Sequence, residues 1–274
     1  MKTNAKERFD SLVGRGQRPL GAFVMSNDPT TSAIFASTGF DFVIIDREHG
    51  MIDLAAAVGH VRAAEMGGAT PLIRVLEPTP ASIQQALDAG AHGIIVPKAE
   101  DPGEIERLVK ATRYQPGGRG KCPQTPGANF DGTDWQARST RHNENVLLVP
   151  LLETISGVEN AAKIAAVDGV DYLFFGPADL SQDLGLDTHA DREQIREVWN
   201  EVLAVVRPMG VRLGAPAGYG FDEEADFLTV GSDVGNIRTK AAEGLTLFRR
   251  TGSQAGAAEA PAVGRSLVAA GDRR

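Results

Sequence analysis

A single cysteine, Cys122, stands in 274 residues, which excludes an intrachain disulfide and a thiolate-cage metal site. No apolar stretch approaches the roughly 18 residues needed to span a membrane. With a net charge of −8 the chain lacks the basic footprint of a nucleic-acid surface. The N-terminus, Met1-Lys2-Thr3-Asn4-Ala5-Lys6-Glu7-Arg8, has no apolar core behind its charges, so a secretory signal is not expected. Nor does a Gly-x-Gly-x-x-Gly follow the first strand-like run, which lowers the dinucleotide-binding version of an α/β fold. The composition that remains, 42% hydrophobic and 23% charged, is that of a globular chain able to bury a substantial core. A cytoplasmic enzyme or binding protein fits these exclusions.

Strand-like apolar runs alternate with helix-like periods along the chain. The runs fall at 20–25, 41–46, 71–75, 93–97, 146–152, 171–175, 211–215 and 227–231. Amphipathic segments lie between them at 29–38, 53–66, 80–89, 102–113, 156–166 and 191–207. Asp28-Pro29, Thr79 after Glu77-Pro78, and Asp101-Pro102 are helix starts, and Gly39, Gly67 and Gly90 are stops. Eight such units predict a (β/α)8 barrel with an N-terminal helix, a doubly wound open sheet being the alternative. Two places break the rhythm. Residues 115–143 form a long Gly-, Pro-, Asn- and Asp-rich stretch expected to be a functional or disordered loop. Between Ala217 and Phe227 too few residues remain for a full crossover helix, which leaves at most a short one at 221–225. The expected organisation is a catalytic barrel over 1–252 and a flexible Ala/Gly-rich tail over 253–274.

Two of the apolar runs end in a single carboxylate. They are Val146-Leu147-Leu148-Val149-Pro150-Leu151-Leu152-Glu153 and Tyr172-Leu173-Phe174-Phe175-Gly176-Pro177-Ala178-Asp179. Continuous apolar runs fit parallel strands buried on both faces, and acids where they run out sit at the mouth of the sheet. Thr154 and Ser156 are better helix caps than Glu153, which weakens a purely structural role for that acid. Two carboxylates without a cysteine or histidine cluster select a hard divalent ion, Mg²⁺ or Mn²⁺, with Co²⁺ also tolerated. The turn Gly176-Pro177-Ala178 offers backbone amides to an anionic ligand.

Other groups gather at the same predicted rim. Strand two ends in Asp46-Arg47-Glu48-His49, with Asp46 and Glu48 alternating to one side. His49 near Asp46 fits a base with an orienting acid, although a surface histidine in a charged turn is the plainer reading of that motif alone. Arg74, flanked by Ile73 and Val75, suits a substrate carboxylate or enolate oxygen; a core ion pair is its alternative. Lys98 closes strand four, where a Schiff-base lysine and a salt-bridging lysine both fit. His60, His92, His142 and His189 are scattered and are expected to be structural or on the surface.

These segments together resemble a known family. The stretch Gly39-Phe40-Asp41-Phe42-Val43-Ile44-Ile45-Asp46-Arg47-Glu48-His49-Gly50 is similar to the HpcH/HpaI aldolases, as are Pro71-Leu72-Ile73-Arg74, Leu152-Glu153-Thr154 and Gly176-Pro177-Ala178-Asp179-Leu180-Ser181. The similarity runs from about Gly14 to Leu247, and four motifs in order are far more specific than any one. The resemblance implies a metal-dependent class II aldolase that reversibly cleaves a 4-hydroxy-2-oxo acid to pyruvate and an aldehyde. It places Glu153 and Asp179 on the metal ligands, Arg74 on the enolate-stabilising arginine, and Asp46 with His49 on the acid–base pair. Gly176, Pro177 and Ala178 fall in the pyruvate-binding turn. Asp88 matches an acid that reaches a neighbouring subunit's site, and a homo-oligomer, a hexamer, is implied. The sequence departs from the family pattern at Met51, where proline is common, at Lys98, and in Gly120-Lys121-Cys122-Pro123-Gln124-Thr125-Pro126. A lysine at 98 points to the alternative of a citrate-lyase-like acyl-CoA lyase acting on malyl- or citramalyl-CoA.

Overall fold

In a computed structural model, which describes residues 3–254, eight parallel strands close into one barrel in the order β1 to β8. The strands are β1 (Leu20–Val24), β2 (Phe42–Asp46), β3 (Thr70–Arg74), β4 (Gly93–Val96), β5 (Leu147–Leu152), β6 (Tyr172–Phe175), β7 (Arg212–Pro216) and β8 (Phe227–Ser232). The doubly wound alternative is thereby excluded. All five residues of β2 and of β3 are buried, as a strand covered on both faces requires.

The helices are α1 (Ala5–Gly14), α2 (Thr30–Ser37), α3 (Leu54–Gly67), α4 (Pro80–Asp88), α5 (Pro102–Thr112), α6 (Trp135–Asn145), α7 (Ile155–Glu159), α8 (Ala161–Ala165), α9 (Pro177–Asp183), α10 (Arg192–Val206) and α11 (Asp233–Gln254). The start signals act as capping chemistry predicts. The side chains of Asp53, Thr79, Asp101 and Thr154 each accept a backbone N–H in the first turn of their helices. Apolar side chains between strands and helices make the larger core, with Trp199 of α10 fully buried in it.

Helix α1 closes one end of the barrel. Its Phe9 is 1% exposed and meets Phe42, Tyr172 and Phe227 with ring centroids 5.1, 5.5 and 5.8 Å away. Those three residues begin β2, β6 and β8, so the plug sits at the N-terminal ends of the strands. Space for the rings comes from glycine. A Cβ on Gly21 would lie 2.2 Å from the Phe42 ring, and one on Gly214 would lie 2.3 Å from that of Phe227. The C-terminal end stays open for a site.

Two expectations need correction. The stretch 115–143 is not all loop, because Trp135–Asn145 is helix α6. Its buried residues are Ser139 and His142, so its inward face is polar and carries no apolar stripe to read. The seventh crossover is short, as expected, but 221–225 is not helical; 217–226 holds only turns. Phe221 fills the space a helix would cover, stacking on Trp199 at 4.8 Å and meeting Phe175 at 5.5 Å.

The unit containing the barrel ends at Val234, and a second unit begins at Gly235. Within the second unit α11 continues to Gln254, so the tail expected over 253–274 lies, from 255 onward, outside the described residues. Among the described residues no helix is long and apolar enough to cross a membrane.

Candidate active site

At the open end a cleft of about 480 Å³ is lined by Asp46, His49, Arg74, Glu153, Gly176, Pro177, Ala178 and Asp179, together with an apolar wall. Strand register explains part of this gathering. Asp46 and Arg74 are the last residues of β2 and β3 and are Cα partners in the ladder. Their side chains form a two-pronged ion pair, Arg74 Nε donating to Asp46 Oδ1 at 2.9 Å and Nη2 to Oδ2 at 2.5 Å. Arg74 Nη1 lies 3.2 Å from Glu48 Oε2, and the Phe23 ring centroid is 5.1 Å from the guanidinium. Burial alone would lower the guanidinium pKa, but Asp46, Glu48 and Glu153 around it hold it above its ordinary value.

Glu153 follows β5 and is 2% exposed. Its Oε1 accepts the backbone N–H of Lys98 at 2.8 Å. Burial first, then the nearby carboxylates Glu48 and Asp179, push its pKa up to about 7, against the lowering effects of the Lys98 amide and Arg74. A Cβ on Gly176 would stand 2.7 Å from Glu153 Cβ and 3.1 Å from Oε2, so only glycine lets the strand-six turn pass this carboxylate. Asp179 lies in the first turn of α9, directly beyond that turn.

A divalent ion suits this donor set. Glu153, a buried carboxylate crowded by others, gains most from a cation placed beside it. Glu48 Oε2, ion-paired with Arg74, is buried without a formal hydrogen bond. Among the described residues no group of three or more His, Cys, Asp or Glu forms a closed metal cage. A hard ion held by one or two carboxylates keeps open positions for water and substrate oxygens, so a cage is not needed.

The structure separates one expected pair. Asp46 does not engage the His49 ring; both its oxygens hold Arg74, and Oδ1 also accepts the backbone N–H groups of Glu48 and His49 at 3.0 and 3.2 Å. Asp46 therefore shapes the loop carrying His49. The ring, half exposed, has Glu48 Oε2 as a carboxylate 3.8 Å from Nε2. Asp88 lies outside this chain's cleft and accepts from Arg119 Nη2 at 2.5 Å. Lys98 contributes its amide rather than its amine. It takes φ 48°, and its exposed side chain does not line the cleft. His60 and His142 are buried and His189 is exposed, in keeping with structural and surface roles.

Sequence reasoning missed Glu48 as an Arg74 neighbour, and the wall residues Phe23, Met25 and Tyr219 altogether. For Glu48 the signal was present, since two-residue alternation puts it beside Asp46. Tyr219 comes from the short seventh crossover, where no periodicity exists to follow.

The family model described as HpcH/HpaI aldolase/citrate lyase matches residues 20–235. The chain belongs to this family. As a family member it is a carbon–carbon lyase of the aldolase type. It is similar to a 5-keto-4-deoxy-D-glucarate aldolase of Shigella boydii, with 30% identity over 251 residues, covering 89% of this chain and 96% of the relative. A solved HpcH/HpaI family protein of Burkholderia cenocepacia matches with a TM-score of 0.80 and 28% identity, covering 89% of this chain and 98% of that one. The structure of a citrate synthase, SbnG, also matches at TM-score 0.80 and 28% identity, covering 92% of this chain and 100% of its own.

Proposed function

We propose that this family member is a divalent-metal-dependent aldolase that reversibly cleaves a 4-hydroxy-2-oxo acid to pyruvate and an aldehyde. The observation that carries this reading is the crowding of buried Glu153 by Glu48 and Asp179, beside a buried arginine at the open end of the barrel. Glu153 and Asp179 would hold Mg²⁺, Mn²⁺ or Co²⁺. When bound, the ion supplies Lewis-acid polarisation of the 2-oxo and carboxylate oxygens.

The side chains account for the remaining steps. His49 takes the C4-hydroxyl proton, directly or through a water. The C3–C4 bond breaks as the C4–O pair becomes the aldehyde carbonyl and the bond pair moves into the pyruvate enolate. Arg74 has N–H groups left beyond those on Asp46, and these stabilise the enolate oxygen as charge develops. The Asp46 pair fixes the guanidinium plane. In the 176–178 turn Gly176 N–H donates to the Leu152 carbonyl at 2.9 Å and Pro177 has no N–H, which leaves the Ala178 amide for the pyruvate carboxylate. His49 then gives that proton to C3 of the enolate, directly or through a water, releasing pyruvate; in synthesis it takes a methyl proton from pyruvate and returns it to the new C4 alkoxide.

Asp88 belongs to this reading as an acid serving a neighbouring copy, within a homo-oligomer. Exposed Ile237 and Leu245 on α11 offer apolar surface for such association. The acyl-CoA lyase alternative rested on Lys98, and its side chain does not line the cleft.

The test is a screen for pyruvate release from hydroxy-oxo acids, with malyl- and citramalyl-CoA included, run with Mg²⁺, Mn²⁺, Co²⁺ or EDTA. Metal-dependent pyruvate release from a hydroxy-oxo acid is expected. Turnover that survives EDTA, or that is confined to the CoA esters, overturns the reading.

A further inference from the structure

The cleft is chemically two-sided. One arc, from the ends of β2, β3, β5 and β6, carries Asp46, Arg74, Glu153 and Asp179, with Glu48 paired to Arg74 beside it. The other carries Phe23 and Met25 from the β1 end, Pro216, Ala217 and Tyr219 from the β7 end, and Phe174. Phe23 and Phe174 meet edge to face, their centroids 6.3 Å apart, and Tyr219 stacks on the His189 ring at 6.2 Å. This wall is therefore buttressed by ring contacts.

Charge on the two arcs is equally uneven. Among the described residues that line the cleft, Arg74 is the one permanent cation, and Asp46 and Glu48 already flank it. Behind the β1 end of the apolar arc the charged group is an acid, while beside its β7 end Arg196 is taken up by the Gly220 carbonyl and Glu224, with Arg192 alongside. Asp233 is 3% exposed and accepts from the Met25 and Ser26 amides at 2.9 and 3.1 Å and from Ser26 Oγ at 2.7 Å. A substrate carboxylate pointing this way would leave water for an apolar wall backed by like charge. A neutral, apolar substituent would gain from the same burial.

Building on the pyruvate-enolate reading above, we infer that the aldehyde half of the substrate is uncharged and carries an apolar substituent against the Phe23–Met25–Tyr219 wall. The substrate is then a 4-hydroxy-2-oxo monoacid, not a diacid. Tyr219 is the residue whose side chain sets this preference at the mouth.

The full-length enzyme is tested in synthesis, with pyruvate and a divalent metal, against propanal, benzaldehyde, glyceraldehyde, glyoxylate and succinic semialdehyde. Deuterium exchange at the pyruvate methyl group is followed without any aldehyde. Exchange together with kcat/KM for propanal and benzaldehyde about tenfold or more above that for the two anionic aldehydes supports the inference. Exchange with equal or better use of the anionic aldehydes overturns it while leaving the enolate reading intact. Absence of exchange overturns that reading and the inference with it. As a second arm, Tyr219→Lys places a cation at the wall. It should move the glyoxylate-to-propanal ratio of kcat/KM up by about tenfold. A ratio unchanged in a variant that still exchanges deuterium assigns the preference elsewhere and overturns the role of Tyr219.

Discussion

Asp46 grips Arg74 through both carboxylate oxygens, at 2.9 and 2.5 Å, across adjacent strand ends where the two residues are 0% and 7% exposed. Removing one partner of a buried pair strands the other charge. Asp46→Ala should lower stability by about 3–5 kcal/mol and remove activity with it. Arg74→Lys keeps a charge but loses the planar fork, so kcat should fall roughly 10²–10³-fold with metal affinity retained. Denaturant melts and metal titrations separate the two effects. An Asp46→Ala protein as stable as the parent would contradict the proposed role of the pair.

Glu153 predicts a trade between folding and function. Its folded pKa, about 7, stands above the ordinary 4.5. The stability it contributes to the metal-free protein is thus fully present below pH 4.5 and is lost as pH rises through 7. Glu153→Gln keeps an acceptor for the Lys98 amide and removes the charge. Without metal at pH 8 it should be more stable than the parent by roughly 2 kcal/mol, with the advantage shrinking toward pH 5. It should also fail to gain thermal stability on adding Mn²⁺. The check is a pair of melting series, with EDTA and with metal; a pH-independent difference between the proteins would refute the account.

His142 gives the opposite pH dependence. It is 1% exposed, its Nε2 lies 2.9 Å from the Thr112 carbonyl oxygen, and its Nδ1 lies 3.0 Å from Thr3 Oγ1. Burial, then the Arg119 charge, lowers its pKa from 6.5 to about 3. The unfolded chain takes up this proton first, so stability is present above pH 6.5 and falls as pH drops toward 3. In this window acid unfolding should take up about one proton more in the parent than in His142→Asn. Urea titrations at several pH values measure the slope, and identical slopes would remove His142 as the cause.

His49 is expected to act in proton transfer and not in holding the fold. It is half exposed, and its ring is not hydrogen-bonded to Asp46. His49→Ala should leave the melting temperature unchanged and lower kcat by about 10²–10⁴. Parent-like turnover of a hydroxy-oxo acid by this variant would assign the base elsewhere.

Lys98 separates the metal mechanism from a Schiff base. Only its backbone N–H meets Glu153, so Lys98→Ala should keep kcat/KM within about a factor of three. Borohydride added with pyruvate should trap no adduct on the parent enzyme. A trapped adduct lost in Lys98→Ala would favour the lysine mechanism.

The sequence alone determined the eight α/β units, which a barrel and a doubly wound sheet would both use, and most of the rim. Strands buried on both faces leave uninterrupted apolar runs, and the eight runs and the closed eight-stranded sheet coincide within one or two residues. The acid or cation ending a run marks the C-terminal rim, which is why Asp46, Arg74, Glu153 and Asp179 were legible. Helix α6 was not, because its inward face is Ser139 and His142. Partnership was not legible either. Asp46 and His49 are three residues apart, yet Asp46 pairs with Arg74, 28 residues away, because parallel register sets their strand ends side by side. The same holds for the Lys98 amide on Glu153 and for the apolar wall gathered from β1, β6 and β7. Hydrophobic periodicity records what each segment must bury, and so fixes the elements. Which side chains meet at the rim depends on closure of the barrel, and only the tertiary structure decided that.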